Sequence, residues 1–365
     1  MIYLDHGATS FPKPPAVRQA VQDAMLRCAN PGRGGHPAAL AAARTVYDCR
    51  EAAAGLFHCK PEQVVLTSNC THGLNIAIRT LINSGDRVVI SGFEHNAVVR
   101  PLYALGAKLT VAGRRLFDWE DTLETFERAL RTGPKAAVFT HVSNVFGYIL
   151  PVQEMSALCR RYGVPFIIDA AQSAGSMELD FGSLGADFVA MPGHKGLLGP
   201  QGTGLLLCKG EGKPLIFGGT GSDSIRREMP EYLPERLEAG TVNVPGIAGL
   251  AAGLRYVSRI GVENIGRRER AMAADTVRGL KKLGLKVFSG PDQSGTVSFV
   301  PRGDCEELGE KLAQRGIAVR AGLHCAPLAH ESAGTLETGT VRVSFGHDAA
   351  PEQVRRLLKE MAALS

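Results

Sequence analysis

A lysine and an aspartate each follow an apolar, strand-like run in the middle of the chain. Lys195 lies in the glycine-flanked segment 193–196, and Asp169 ends the apolar run 166–168. In an open α/β sheet, ligands bind at the carboxyl ends of the strands. Because a buried carboxylate is costly without a cation, we expect Asp169 either to hold a cationic ring nitrogen or to cap the next helix. An ordinary loop lysine is the plain alternative for Lys195.

Together these two side chains match the needs of one cofactor. Pyridoxal 5'-phosphate (PLP) requires an amine that binds its aldehyde and an acid that keeps its pyridine nitrogen protonated. Lys195 and Asp169 offer both groups from successive strand ends. The sequence therefore predicts a PLP site at the carboxyl edge of a sheet, and we predict no metal site.

Three further strand ends add polar side chains to the same edge. Residues 67–73 follow a strand and open a helix, where backbone N–H groups and the Thr71 hydroxyl can bind an anion. Plain capping of that helix is a compatible alternative. His95 follows another strand and is suited to stacking on a ring, although a lone histidine is more often structural. Asn144 follows a third strand. This convergence predicts one ligand crevice.

Alternating strands and helices position these residues. Apolar, β-branched runs predict strands at 64–67, 87–91, 136–140, 165–169, 187–190 and 204–207. Apolar residues at three- and four-residue spacing predict helices at 16–26, 38–57, 71–83, 119–130 and 152–162. This order predicts an α/β fold with a mainly parallel sheet that helices cover on both faces.

The last third of the chain predicts a separate, small α+β domain. Its predicted helices are 245–260, 262–283, 305–315 and 351–364, and its strands are 285–288, 296–301 and 341–345. The long loop 316–339 carries Cys325, and long loops inside compact domains are often functional. We place the domain boundary near Gly249. The predicted parts are an N-terminal segment, 1–14, that packs with the small domain, a large domain, 15–249, and the small domain, 250–365.

The composition excludes several classes of protein. The chain has 365 residues, 44% of them apolar and 21% charged, which is ordinary for a globular protein and excludes a fibrous or disordered one. The net charge of +5 is too small and too evenly spread to predict nucleic-acid binding. We see no signal peptide and no membrane span. Eight cysteines without a CxxC pair favour a reduced, cytoplasmic enzyme.

The ordered motifs resemble the cysteine desulfurases of the PLP-dependent class V aminotransferase family. The resemblance runs nearly end to end and is carried by segments 3–9, 67–75, 94–96, 143–147, 169–173, 193–195, 238–241, 320–326 and 342–344. It implies the type I fold of PLP-dependent transferases, with a large PLP-binding domain and a small α+β domain. The cysteine loop is similar to the shorter loop of the second desulfurase group.

The resemblance also implies a role for each matching residue. Lys195 would bind the cofactor aldehyde, Asp169 the pyridine nitrogen and Gln172 the ring hydroxyl, while His95 would stack on the ring. The phosphate site would include Cys70 and Thr71 at the helix start and His194 beside Lys195. A neighbouring subunit would supply Thr241. The substrate would be held by Asn144, Arg342, Arg320 and His324.

Cys325 carries the activity that the resemblance implies. Its thiol would take the sulfur of L-cysteine as a persulfide, leaving L-alanine, and would pass the sulfur to a protein acceptor, as in iron–sulfur cluster assembly. Free cysteine is only slightly ionised at neutral pH. The neighbouring His324 and Arg320 would increase the thiolate fraction of Cys325. A homodimer is implied, with neither nucleic acid nor membrane as partner.

Three departures and three alternatives accompany this prediction. Pro192 stands where relatives usually carry a phosphate-binding serine, Cys70 and His72 replace commoner residues, and Leu323 stands where the second group often has histidine. A selenocysteine lyase, or another class V lyase or aminotransferase, shares the same PLP apparatus. A non-enzymatic PLP-binding or sulfur-carrier scaffold is disfavoured by the joint presence of Lys195 and Cys325. A nucleotide-binding protein is disfavoured because the phosphate-loop motifs are missing.

Overall fold

The computed structural model describes residues 1–32 and 34–364. The strands are β1 (Ile2–Tyr3), β2 (Val64–Thr67), β3 (Arg87–Ser91), β4 (Lys108–Ala112), β5 (Ala136–Thr140), β6 (Phe166–Asp169), β7 (Phe188–Pro192), β8 (Gly204–Cys208), β9 (Lys286–Phe288), β10 (Thr296–Val300), β11 (Ile317–Ala318), β12 (Arg320–Gly322) and β13 (Thr340–Ser344).

The α-helices are α1 (Pro15–Arg27), α2 (Pro37–Phe57), α3 (Cys70–Leu81), α4 (Asn96–Ala104), α5 (Trp119–Leu130), α6 (Val152–Tyr162), α7 (Phe181–Leu184), α8 (Val244–Ile260), α9 (Val262–Lys282), α10 (Cys305–Gln314), α11 (Pro327–Ala333) and α12 (Pro351–Leu364). Within the described ranges, none of these helices has both the length and the apolar composition needed to cross a membrane.

A seven-stranded sheet forms the centre of the large domain, in the order β2-β8-β7-β6-β5-β3-β4. The strands from β7 to β4 are parallel, whereas β8 is antiparallel to both of its neighbours, β2 and β7. Two reversals give β2 the same direction as β7. The carboxyl ends of β2, β3, β5, β6 and β7 therefore lie at one edge, and the predicted mainly parallel sheet is confirmed.

Strand β6 illustrates how the sheet is covered on both faces. Phe166 and Ile168 belong to the buried cluster that contains residues of α5 and α6, whereas Ile167 belongs to the cluster that contains residues of α3 and α4. Alternate residues of a strand point to opposite faces. A strand buried on both faces therefore needs a continuous apolar run, which is the pattern that the sequence shows.

The small domain is built on a four-stranded antiparallel sheet, β12-β13-β10-β9. Its core includes Leu280 of α9, Leu312 of α10 and Leu357 of α12. Strand β1 pairs in parallel with β11, and Leu4 lies in the same core. The first residues of the chain are thereby attached to the small domain.

The domain boundary predicted near Gly249 falls inside the continuous helix α8. Helix α8 packs on α1 and α2, and a Cβ on Gly249 would lie 2.7 Å from a methyl group of Val21 in α1. Small residues allow this close packing, so the helix stays with the large domain along its length. The change of core occurs along α9, because Ile265 packs with Val257 of α8, whereas Leu280 lies in the small-domain core.

Three local features escaped the sequence patterns. Strand β4 is an edge strand with exposed alternate residues, so it lacks the continuous apolar run of its neighbours. Helix α4 is short and contains Pro101. The predicted loop 316–339 contains β11, β12 and α11, and Ala326 and Ala329 return to the large-domain core. The Cys325 segment thus bridges the two cores.

Two helical glycines test how closely α9 packs on the loop after β6. A Cβ on Gly266 would lie 2.0 Å from the carbonyl oxygen of Ser176, whereas a Cβ on Gly55 in α2 would meet nothing within 4 Å. We expect Gly266→Ala to lower the free energy of unfolding by about 1–3 kcal/mol, because backbone must shift. Gly55→Ala should raise it by up to about 1 kcal/mol, because alanine favours helix. Urea denaturation measures both changes, and a stabilising Gly266→Ala would contradict the packing.

Candidate active site

A cavity of about 620 Å³ opens at the carboxyl edge of the large sheet. Residues that follow β2, β3, β5, β6 and β7 line it, because those five strand ends share one edge. Eight of the residues predicted from sequence lie in its wall: Cys70, Thr71, His95, Asn144, Asp169, Gln172, His194 and Lys195.

Asp169 is a buried carboxylate without a counter-ion. It is 2% exposed and makes no ion pair within the described part of the chain. Its Oδ1 accepts hydrogen bonds from the Ala171 N–H at 2.9 Å and from the Cys70 thiol at 3.4 Å. The residues after Asp169 form a turn, so no helix is present for it to cap. Such a carboxylate fits a cationic ring nitrogen in the cavity.

Lys195 follows β7 and lines the same cavity. Burial lowers the pKa of its amine, the nearby positive charge of Arg342 lowers it further, and the charge of Asp169 opposes the change. A lower pKa increases the neutral fraction of a lysine, which is the form that attacks an aldehyde. The electrostatics therefore suit a lysine that binds a carbonyl group.

The glycines on either side of this lysine segment are required by close packing. A Cβ on Gly193 would lie 2.2 Å from the Thr203 hydroxyl oxygen, and one on Gly196 would lie 2.2 Å from the Ala174 carbonyl oxygen. Larger residues would displace the segment from the loop after β6. The glycines thus keep Lys195 beside the strand end that carries Asp169.

The first turn of α3 lies in the cavity wall. Asn69 caps the helix by accepting the His72 N–H at 2.9 Å, and the exposed Thr71 occupies the second helical position. Free N–H groups at a helix start attract anions. The capping and anion-binding interpretations of this segment therefore coexist. Pro192 also lines the cavity, without a hydroxyl to contribute.

The N-terminal segment holds the peptide group in front of Lys195. The carbonyl oxygen of His194 accepts hydrogen bonds from the Ser10 N–H at 3.0 Å and from Lys13 Nζ at 2.6 Å. Burial lowers the pKa of Lys13 to about 8. Gln172 donates from Nε2 to the Gly7 carbonyl at 3.0 Å, which ties the next loop to the same segment.

Two histidines in the wall are held neutral. His95 caps α4 and accepts the Ala97 N–H at Nδ1, 3.0 Å away, so its neutral ring carries hydrogen on Nε2. Burial lowers its pKa. Burial, Lys195 and Lys13 lower the pKa of His194 to about 4. His95 is thus both structural and exposed to the cavity, which allows an uncharged ring to stack on a ligand.

Asp5 bridges two of the predicted substrate-binding arginines. Its carboxylate accepts from Arg342 at 2.7 Å and from Arg320 at 2.9 Å. Arg342 also donates to the Asn144 carbonyl at 2.8 Å. Burial lowers the pKa of Arg342, although the charge of Asp5 opposes this. Sequence reasoning assigned no role to Asp5, because its partners lie more than 300 residues away.

Arg320 and His324 do not lie among the described residues that line the cavity. The His324 ring is buried and its Nε2 lies 3.1 Å from the Thr340 hydroxyl, and burial lowers its pKa to about 2. The structure therefore supports a positioning role for His324 rather than a direct contact with a ligand in this cavity. The Oδ1 of Asn144 and the Nε of Arg342 are buried without a hydrogen-bond partner among the described residues.

Cys325 is an exposed thiol on a segment anchored to the cavity wall. The Asn96 N–H donates to its carbonyl oxygen at 2.8 Å, and the Asn144 side chain donates to the His324 carbonyl at 2.7 Å. His324 and Cys325 have φ values of 51° and 57° in succession, a left-handed turn that is unfavourable for residues other than glycine. Anchors on both sides hold this turn, and they come from residues next to His95 and within the cavity wall.

Comparison with known proteins assigns the chain to a family. The sequence model of the class V aminotransferases matches residues 2–357. The chain belongs to the class V aminotransferase family. A probable cysteine desulfurase of Methanothermobacter thermautotrophicus is 32% identical, over 100% of this chain and 95% of the relative. The resemblance inferred from the motifs is confirmed.

Solved structures share this fold. The apo structure of a cysteine desulfurase from Thermococcus onnurineus NA1 superposes with a TM-score of 0.91 at 34% identity, covering 100% of this chain and 94% of that one. The C-DES protein, solved with glycine covalently linked to its PLP cofactor, has a TM-score of 0.82 at 24% identity, covering 99% and 96% of the two chains. The predicted type I architecture is thereby confirmed.

Glu94 is a further buried carboxylate, directly before His95. It is fully buried, and its Oε1 accepts the Thr140 N–H at 2.9 Å and the Ser91 N–H at 3.3 Å. Burial raises its pKa to about 8. As a neutral acid it links the carboxyl ends of β3 and β5, the strands that precede His95 and Asn144. The motif 94–96 included Glu94, but the motif alone did not indicate that this carboxyl group is buried and links β3 to β5.

The raised pKa of Glu94 predicts a pH-dependent stability. Between about pH 4.5 and pH 8 the folded chain keeps a proton that the unfolded chain releases, so the free energy of unfolding falls as the pH rises. Relative to Glu94→Gln, the wild type should lose up to about 1.4 kcal/mol per pH unit in this window. Urea denaturation at pH 5 and pH 7.5 measures the difference. Parallel profiles for the two proteins would contradict the burial of a protonated Glu94.

Proposed function

We propose that this protein is a cysteine desulfurase, which converts L-cysteine to L-alanine and takes the sulfur onto Cys325. One observation carries the proposal: an exposed thiol lies on a segment hydrogen-bonded to the wall of the cavity that contains Lys195 and Asp169. Relatives that match along the full chain are named probable cysteine desulfurases. A class V aminotransferase that only transfers amino groups has no need of a thiol anchored there.

The donor set of the cavity supports PLP as the cofactor. Asp169 would hold the pyridine nitrogen, Lys195 the aldehyde carbon and Thr71 the phosphate, while His95 would stack on the ring. When bound, PLP supplies a ring that accepts negative charge from the α-carbon of an amino acid. The carboxylate of Asp169 makes no ion pair in the described part of the chain, and a protonated pyridine would satisfy it.

Lys195 and Cys325 would divide the chemistry between them. The Lys195 amine, whose neutral fraction is increased by burial, would remove the α-proton of L-cysteine. The Cys325 thiolate would form an S–S bond with the substrate sulfur as the C–S bond breaks. The electron pair of that bond stays on carbon, which takes up a proton to become the alanine methyl group. Cys325 is left as a persulfide.

The guanidinium of Arg342 would hold the substrate carboxylate. Its Nε–H lacks a partner among the described residues, and Arg342 donates to the carbonyl oxygen of Asn144, which lines the cavity. Asp5 already neutralises part of the arginine charge. Arg320 would contribute a second cationic group beside Asp5, with which it forms an ion pair at 2.9 Å.

A homodimer would complete the phosphate site. Thr241 is exposed and faces a second cavity, of about 870 Å³, instead of the one that contains Lys195. The segment 209–243 also exposes large apolar side chains, namely Ile216, Phe217, Ile225 and Tyr232. Exposed apolar groups of this size mark protein interfaces. A second copy would cover them and receive Thr241 at its own phosphate.

A protein acceptor would then remove the sulfur from Cys325. The exposed thiol is accessible to such a partner, and all eight cysteines of the chain are free. The thiol must stay reduced to accept sulfur, which supports a reducing, cytoplasmic compartment.

Replacing Cys325 tests the proposed reaction. We expect Cys325→Ala to keep bound PLP and its yellow absorbance but to lose at least about 100-fold in alanine formation from L-cysteine, since only the thiol accepts sulfur. The control is Cys28→Ala, which removes another partly exposed thiol and should leave the rate unchanged. Equal turnover by Cys325→Ala and the wild type would overturn the role of Cys325. Rapid release of selenide from selenocysteine with negligible turnover of L-cysteine would instead identify a selenocysteine lyase.

Replacing Lys195 tests the attachment of the cofactor. After borohydride reduction, the wild type should retain PLP covalently on Lys195, as read by peptide mass. Lys195→Ala should carry no covalent PLP, whereas Lys209→Ala should label like the wild type, because Lys209 follows β8 at the opposite edge of the sheet. Labelling of Lys195→Ala at another lysine would show that the assignment is wrong.

A further inference from the structure

A buried ion pair, Arg50 with Glu238, lies outside the lining of the cavity that contains Lys195. Arg50 of α2 donates to both carboxylate oxygens of Glu238, at 2.8 and 2.6 Å. Their side chains are 11% and 8% exposed. Burial by itself lowers the pKa of Arg50, but the charge and hydrogen bonds of Glu238 raise it above the usual value, so Arg50 remains charged. Two-point pairing of this kind fixes orientation as well as distance.

The same pair holds the edge strand of the large sheet. Strand β2 is the outer strand, with β8 on one side only. On its other side, Glu238 accepts the Leu66 N–H at 2.6 Å and Arg50 donates to the Val64 carbonyl. The ion pair thus takes the place of a neighbouring strand for two backbone groups of β2.

The ion pair contacts the two chain segments that lead to the proposed phosphate-binding residues, Thr71 and Thr241. Strand β2 ends at Thr67 and leads into the α3 helix start, with Thr71 four residues later. Glu238 precedes Thr241 by three residues in a segment without regular structure, whose Gly240 N–H donates to the Gly219 carbonyl at 2.7 Å. A displacement of Arg50 or Glu238 would therefore displace both segments.

Stability alone does not account for such a pair. Buried ion pairs are often matched or exceeded in stability by apolar residues of similar volume, because both charges lose their hydration. What an apolar pair cannot do is hold a strand N–H, a strand carbonyl and a loop carboxylate in one fixed arrangement. The geometry therefore points to positioning.

We propose that Arg50 and Glu238 form a positioning pair that sets the α3 helix start and the Thr241 segment for the phosphate of PLP. In the proposed dimer, Thr71 serves the subunit's own phosphate and Thr241 the partner's, so one ion pair orders both sites. The inference rests on the proposed PLP function. It concerns phosphate affinity and does not place either residue in contact with the cofactor.

The test compares PLP with pyridoxal, which lacks the phosphate. The full-length apoprotein is titrated with each compound, and the ratio of the two dissociation constants is taken from the absorbance of the lysine-bound form. We expect Arg50→Met and Glu238→Gln to lose on the order of tenfold in PLP affinity, as expected for one charge-assisted hydrogen bond, with pyridoxal affinity within about twofold of wild type. Arg50→Lys keeps the charge without the two-point geometry and should show an intermediate loss.

A matched control separates positioning from loss of stability. Arg160→Met removes an arginine that donates to the Leu184 carbonyl at 2.7 Å, away from both phosphate segments. It should lower the melting temperature and leave the PLP-to-pyridoxal ratio unchanged. Should Arg50→Met fail to fold, Glu238→Gln and Arg50→Lys carry the comparison.

The outcomes separate the inference from the proposed function. A phosphate-specific loss in the pair variants, coupled non-additively with Thr241→Ala in a double-mutant cycle, supports the inference. Unchanged ratios in folded pair variants, with Thr241→Ala reducing PLP affinity, overturn the inference alone. A wild type that binds PLP no better than pyridoxal overturns the phosphate site of the proposed function itself.

Discussion

A buried carboxylate that forms no ion pair among the described residues is the constraint on which the site depends. Asp169 ends a strand that is apolar on both faces, so the chain surrounds a charge with side chains unable to solvate it. One backbone N–H and the Cys70 thiol are its partners in the described chain. A cationic ligand in the cavity beside Lys195 would stabilise a charge in that position.

The small domain is joined to this site by polar contacts that cross the chain. Asp5 lies between Arg320 and Arg342, and Asn144 holds the backbone of His324. The Cys325 turn is therefore held by Asn144 in the cavity wall and by Asn96, next to His95. The glycines of this segment, Gly316, Gly322, Gly334 and Gly339, occupy positions with positive φ in a folded segment. Any movement of Cys325 towards an acceptor must break specific hydrogen bonds.

Much of the fold was predictable because burial on both faces demands continuous apolar runs. Strands β3 and β5 and helices α5, α6 and α12 have the predicted limits. The edge strand β4 was missed because it is half exposed, and α4 because it is short and contains proline. The boundary predicted near Gly249 lies inside α8, which packs through glycines. Periodicity does not distinguish such packing glycines from the glycines of a turn.

The sequence by itself determined the chemistry of the site, since Lys195, Asp169, His95 and Thr71 each follow a strand whose pattern is legible without a structure. The parallel order of the sheet then brings them to one edge. Only the tertiary structure decided which charges meet. The pairing of Asp5 with Arg342 joins residues 337 positions apart, and the partners of Glu238 come from a separate helix and strand. Local patterns report backbone periodicity and burial, whereas the partners of a charge depend on how distant elements pack.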